Sequence, residues 1–218
     1  MYFAIIGDII SSKKIKERHE CQQKLDNVLS LINCVYEKTI ASKFLITLGD
    51  EFQGLLLSPE YALDIIERIS FCMYPVEVRF GIGKGEISTG PVGEYALGSD
   101  GSAYHRARSA IEEIKTQEKR NRSCGTRIKF AGPDDSESSV LNAIAVGLYA
   151  IEKRWTNKQR ELIALMLFED LTQESVAERL GITQSSVNRR LKASGYYDYF
   201  YMKNVISKTL TERSRHDE

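Results

Sequence analysis

The chain lacks most of the features that mark a specialised class. Histidine occurs only three times in 218 residues (His19, His105, His216), too few and too scattered for a zinc cluster. Four cysteines (Cys21, Cys34, Cys72, Cys124) stand far apart with no CxxC pair, so free thiols are expected rather than disulfides or a metal knot. No apolar run approaches the roughly 20 residues of a membrane helix, and no helical membrane span is expected. The segment Met1-Tyr2-Phe3-Ala4-Ile5-Ile6-Gly7-Asp8 has no basic stretch before its apolar run and no cleavage site, so it does not read as a signal peptide, and a cytoplasmic location is expected. Net charge is absent too: 30 Lys and Arg balance 30 Asp and Glu, which excludes wholesale coating of nucleic acid and leaves room for a local basic face. What is present, 42% hydrophobic and 28% charged residues, suffices for a core and excludes disorder of the whole chain.

The pattern along the chain predicts β-α-β-β-α-β-α-β, then helices only. Tyr2 to Ile6 reads as a buried strand and Lys14 to about Thr39 as a long amphipathic helix, with Leu25, Val28, Leu29, Ile32 and Val35 in phase. Phe44 to Leu48 and Phe52 to Leu57 flank Gly49-Asp50-Glu51 as a hairpin. Ser58-Pro59 is placed as cap and first residue of a helix that Pro75 ends. Val76 to Ile82 is a strand, Gly83 to Gly101 a loop, Ala103 to Lys119 a helix and Thr126 to Phe130 the last strand. Gly132-Pro133-Asp134-Asp135-Ser136 is the clearest break. It divides the chain into expected domains 1–135 and 136–218, the second ending in a frayed Thr211 to Glu218. The fold class is therefore α+β: an N-terminal ferredoxin-like sheet with helices on one face, followed by an all-α domain.

Within that second domain, residues 172–194 carry the strongest local signal. Thr172 and Thr183 can each cap a short helix. Val176, Leu180, Ile182, Val187 and Leu191 can lock the two helices together, with small Ala177 at their closest approach. Gly181 sits where the tight turn needs a positive φ. The second helix then offers Gln184, Ser185, Ser186, Asn188, Arg189 and Lys192 outward, short polar and basic side chains suited to base edges and phosphates in the major groove. A helical hairpin that binds protein is the alternative. The dense aromatics Tyr196, Tyr197, Tyr199, Phe200 and Tyr201 could stack on bases, or pack a further helix or a dimer seam. The 172–194 segment resembles the helix-turn-helix of sigma-factor region four and of LuxR-type regulators.

In the first domain, Asp8 at the end of the first strand and Asp50 in the hairpin turn are expected to meet at one sheet edge. Two carboxylates there can share Mg²⁺, with Glu51 as a third acid, and the ions can hold a nucleotide. Amides of Ile9-Ile10-Ser11-Ser12, leading into a helix N-terminus, would meet phosphates. The plainer alternatives are that Asp8 caps the long helix and that Gly49-Asp50-Glu51 is simply what a tight turn prefers. Gly81-Ile82-Gly83-Lys84-Gly85 lacks P-loop spacing and reads as a strand crowded by a neighbour. His105-Arg106-Ala107-Arg108 could meet phosphates or pair with Glu112 and Glu113.

Phe3 through Ile9, Thr47 through Phe52, Arg79 through Glu86 and Gly98 through Arg108, in that order, resemble the palm domain of class III nucleotide cyclases and, more distantly, of GGDEF diguanylate cyclases. The resemblance implies metal-binding aspartates at Asp8 and Asp50 and a transition-state arginine at Arg108, while Tyr104 stands where that family has an asparagine. The nucleotide-binding candidates are thus Ser11, Ser12 and Arg108. The two domains in this order resemble the SatD family. Together these readings predict a DNA-binding regulator with a nucleotide- or metal-binding palm. The alternatives are a divergent nucleotidyl cyclase or nucleotidyltransferase localised by its helix-turn-helix, and an interaction scaffold. Double-stranded DNA is the expected partner, with a homodimer suited to two-fold operators.

Overall fold

Residues 3–9 are buried on both faces of their strand, and that requirement sets the architecture. The computed structural model describes residues 1–12, 17–88, 94–96, 98, 100–120 and 125–216. In it β1 (Tyr2–Ile9) is the centre of a five-stranded sheet with β2 (Ile40–Leu48), β3 (Glu51–Leu56), β4 (Val78–Gly85) and β5 (Ile128–Ala131). The strand order is β2-β3-β1-β4-β5. β1 runs antiparallel to β3 and β4, and β5 is parallel to β4. With α1 (Arg18–Val35) and α2 (Ala62–Met73) as crossovers, the first four strands form the expected ferredoxin-like α+β arrangement. α3 (Ser102–Lys119) carries the chain on to β5.

The helices cover both faces, not one as expected. A Cβ on Gly83 would lie 2.0 Å from the Ala103 carbonyl oxygen, and one on Gly81 would lie 2.1 Å from that of Ala107, so only glycine lets α3 settle so close to β4. Ala4, Ile6 and Leu55 share that face with Ala103, Tyr104 and Ala107. Phe3, Ile5, Phe52 and Phe80 alternate with them onto the other face and are fully buried. α1, beside β2, and α2, beside β4, close this second face through stripes that include Leu25, Leu29, Leu63 and Ile66.

Several boundaries move for local reasons. α1 begins at Arg18 with Glu17 at its N-cap, so neither Lys14 nor Asp8 starts it; residues 13–16 lie outside the described residues, as does Cys124. Ser58 accepts a hydrogen bond from the Glu60 amide (3.3 Å) and holds a turn, while α2 starts later with Tyr61 as its N-cap. β4 runs on to Gly85 through the expected loop. The break at Gly132 is a helix start instead of a linker: Asp134 Oδ1 accepts from the amides of Ser136 (2.9 Å) and Glu137 (3.3 Å), and α4 (Asp135–Glu152) follows at once. Then come α5 (Asn157–Phe168), α6 (Gln173–Leu180), α7 (Gln184–Ala193) and α8 (Tyr196–His216), the last still helical where fraying was expected.

Two asparagines act as substitute strand partners. Asn142 donates to the Phe130 carbonyl (3.0 Å) and accepts from the Phe130 amide (2.7 Å) along the outer side of β5. Asn33 does the same for Phe44 (2.9 and 2.7 Å), where the β2–β3 register slips between Ser42 and Leu45. On β2, Lys43 makes a parallel bridge to Tyr95. The chain forms two compact units, Met1–Val146 with Ile206–Glu218 and Gly147–Val205, the division falling inside α4 and inside α8.

Candidate nucleic-acid interface and the acidic end of the sheet

In the helical unit the 172–194 segment folds as two short helices around a left-handed glycine. Gly181 has φ 63°, and the Ile182 amide reaches back to the Ala177 carbonyl (3.0 Å) to close α6. Thr172 accepts from the Ser175 amide and Thr183 from the Ser186 amide, each at 3.2 Å, so both helix starts are capped. Val176, Val187 and Leu191 are fully buried with Leu162 and Ile163 of α5, whereas Leu180 and Ile182 are half-buried. Trp155 sits beneath α7, its Nε1 donating to the Ser194 carbonyl (2.8 Å) and its ring 4.8 Å from that of Tyr199.

Burying Val187 and Leu191 turns the opposite side of α7 to solvent. Gln184, Ser185, Arg189 and Lys192 are exposed, and Ser186 and Asn188 are half-buried. Among the described residues no ion pair engages Arg189 or Lys192. The Ser186 amide and hydroxyl and the Ser185 hydroxyl are all directed to Thr183, so both serines take part in the cap, with Ser185 exposed and Ser186 half-buried. Tyr197, unplaced by the sequence pattern, accepts from Gln173 Nε2 (3.0 Å) and donates to Asn188 Oδ1 (3.4 Å), tying α8 to both helices of the motif. Of the aromatic run, Tyr196 and Tyr199 are core, and Tyr197, Phe200 and Tyr201 are exposed.

In the sheet unit, Asp8 lies between Glu51 of β3 and Arg79 of β4 in the register, on the face that α3 covers. The Ile9 amide donates to the Asp50 carbonyl (3.2 Å), and the negative charge of Asp50 is felt at Asp8, so the two aspartates lie at the same end of the sheet. Their partners differ from expectation. Asp8 Oδ2 forms an ion pair with Arg79 Nε at 3.0 Å and Oδ1 faces Lys115 Nζ at 3.5 Å. Arg79 continues to Glu118 (2.8 Å) and Lys115 to Glu112 (3.1 Å). Burial pushes the Asp8 carboxyl above its ordinary value, against the pull of Lys115 and Arg79. For Lys115, burial pulls downward, but the Glu112 hydrogen bond and the Asp8 charge raise it overall.

This donor set does not fit Mg²⁺. Both oxygens of Asp8 already face protein cations, which would repel a divalent ion, and among the described residues no three His, Cys, Asp or Glu side chains are grouped to hold a metal. The nucleotide candidates are also placed differently. Ser11 adopts a left-handed φ of 56° and Ser12 is buried, both upstream of the Arg18 helix start and not at it. Arg108 donates to Glu51 Oε1 (2.8 Å), not to Glu112, and His105 pairs with Asp100 (2.9 Å). Tyr104 is buried in the core between α3 and the sheet.

A family model described as "SatD family" matches residues 2–210. The chain belongs to the SatD family. No curated protein matches it. Among solved structures, this SatD-family chain is similar to a bacterial light-regulated adenylyl cyclase at 12% identity, covering 59% of this chain and 74% of that one, with a TM-score of 0.34. It is also similar to a regulator of polyketide synthase expression from Bifidobacterium adolescentis at 11% identity, covering 98% and 85%, with a TM-score of 0.27. Both likenesses are too loose to carry an argument. Among the described residues no helix is long and apolar enough to cross a membrane.

Proposed function

We propose that this protein binds double-stranded DNA, inserting α7 into the major groove as the recognition element of a regulator. The observation that carries the reading is the division of α7: Val187 and Leu191 lock it to its scaffold while Gln184, Ser185, Arg189 and Lys192 face solvent as one polar, basic side. Burial on one side fixes the helix, and the other side keeps donors and cations for base edges and phosphates. Ion pairing of Asp8 weighs against metal-dependent nucleotidyl chemistry as a second reading.

The test is fluorescence anisotropy of a labelled mixed-sequence duplex with wild type and with Arg189→Ala/Lys192→Ala across a salt series. Two lost phosphate contacts should weaken binding about tenfold or more and flatten the log–log salt slope by about 1.8. Equal affinity and slope for both proteins would remove α7 from the interface.

A further inference from the structure

Basic residues in the helical unit are segregated. Between Lys153 and Arg160 there is no acidic residue, and between Arg179 and Tyr197 there is none either. The intervening stretch holds Glu161, Glu169, Asp170, Glu174 and Glu178. The two acid-free segments are joined in the fold. Trp155, buried at the turn between α4 and α5, donates its indole N–H to the carbonyl of Ser194, the residue that ends α7. The corner carrying Lys153, Arg154 and Lys158 is thereby pinned to the C-terminal end of the recognition helix.

All three corner cations are exposed, and among the described residues none is held in an ion pair. Lys153 lies with its Nζ 5.9 Å from the Tyr149 ring centre, a contact that leaves its charge uncancelled. The acid next to the corner is spent: Glu152 is buried and bound to Arg160 (3.2 Å). Arg179 and Glu169 cancel one another in an ion pair.

We infer that Lys153, Arg154 and Lys158 form a second DNA contact, a backbone clamp that takes phosphates beside the groove occupied by α7. The inference rests on the DNA-binding reading above and adds a residue set and a division of labour to it. Long, exposed cations outside any ion pair suit phosphate oxygens, which fix register but carry no sequence information. The short polar side chains of α7 suit base edges. The indole–carbonyl bond holds the corner against the end of α7, so docking the corner bears on how α7 enters the groove.

The experiment compares the protein with its Lys153→Ala/Arg154→Ala/Lys158→Ala and Lys153→Arg/Lys158→Arg variants by anisotropy on random-sequence duplexes over a salt series. A thermal melt of each confirms folding, and base preference is read by selection from a randomised duplex library. The alanine variant is expected to bind every duplex about tenfold or more weakly, with a salt slope shallower by about 2.7 and with base preference unchanged. The arginine variant should restore both affinity and slope. If wild type binds duplexes and the alanine variant matches it in affinity and slope, or shifts base preference instead, the clamp is overturned while α7 stands. If wild type binds no duplex, the DNA-binding reading and the clamp fall together.

Discussion

The acidic end of the sheet and the outward side of α7 both concentrate charge, yet they handle it in opposite ways. Asp8 is 7% exposed and is answered by Arg79 and Lys115, which are answered in turn by Glu118 and Glu112. Arg189 and Lys192 are exposed and engaged by no ion pair among the described residues. A closed network satisfies the fold, and a charge left open to solvent is available to a partner. The comparison teaches that a motif of the right residues marks a ligand site only when the fold leaves those residues unspent.

Gly83→Val would drive a side chain into the Ala103 carbonyl, and loss of the sheet unit's folding, more than about 3 kcal/mol, should appear in chemical denaturation. Asp8→Ala leaves Arg79 and Lys115 facing each other without their shared anion. A loss of about 3 kcal/mol is expected by the same measurement, with duplex binding unchanged. If Asp8→Ala costs nothing, the network is ornamental and the comparison fails.

Finer tests sharpen it. Lys115 is raised above its ordinary 10.5, so the stability it contributes is whole below pH 10.5 and is lost as pH climbs through the folded value. Melting curves of wild type should therefore fall more steeply on the alkaline side than those of Lys115→Met. Thr183→Ala removes the cap of α7 and should cost about 1 kcal/mol in a melt, with a proportionate loss of duplex affinity. Smallest of all, Arg108→Ala breaks an exposed pair with Glu51 and should change stability by less than about 1 kcal/mol.

What could be read in the sequence follows the range of the interaction. The two-helix segment 172–194 is written in neighbouring residues: two threonine caps, an αL glycine and the buried Val176, Val187 and Leu191 act within a few positions and take their expected places, while Leu180 and Ile182 are only half-buried. The placing of Asp8 and Asp50 at the same end of the sheet also follows from strand order alone. Arg79 and Lys115 reach Asp8 from far along the chain, and spacing near Asp8 holds no sign of them. Placement of α3 did leave a sign. Glycines at 81, 83 and 85 repeat with the period of one strand face, so they ask for a helix backbone close against that face.

The asparagines at the margins of the sheet carry a last consequence. Asn142 occupies the outer groups of Phe130 on β5, and Lys43 on β2 is bridged to Tyr95, so among the described residues each rim is interrupted at that point. Growth of this sheet from copy to copy must first evict a side chain that already makes two good hydrogen bonds. At the β5 rim the folded chain therefore resists edge-to-edge joining, because pairing there costs two bonds already made.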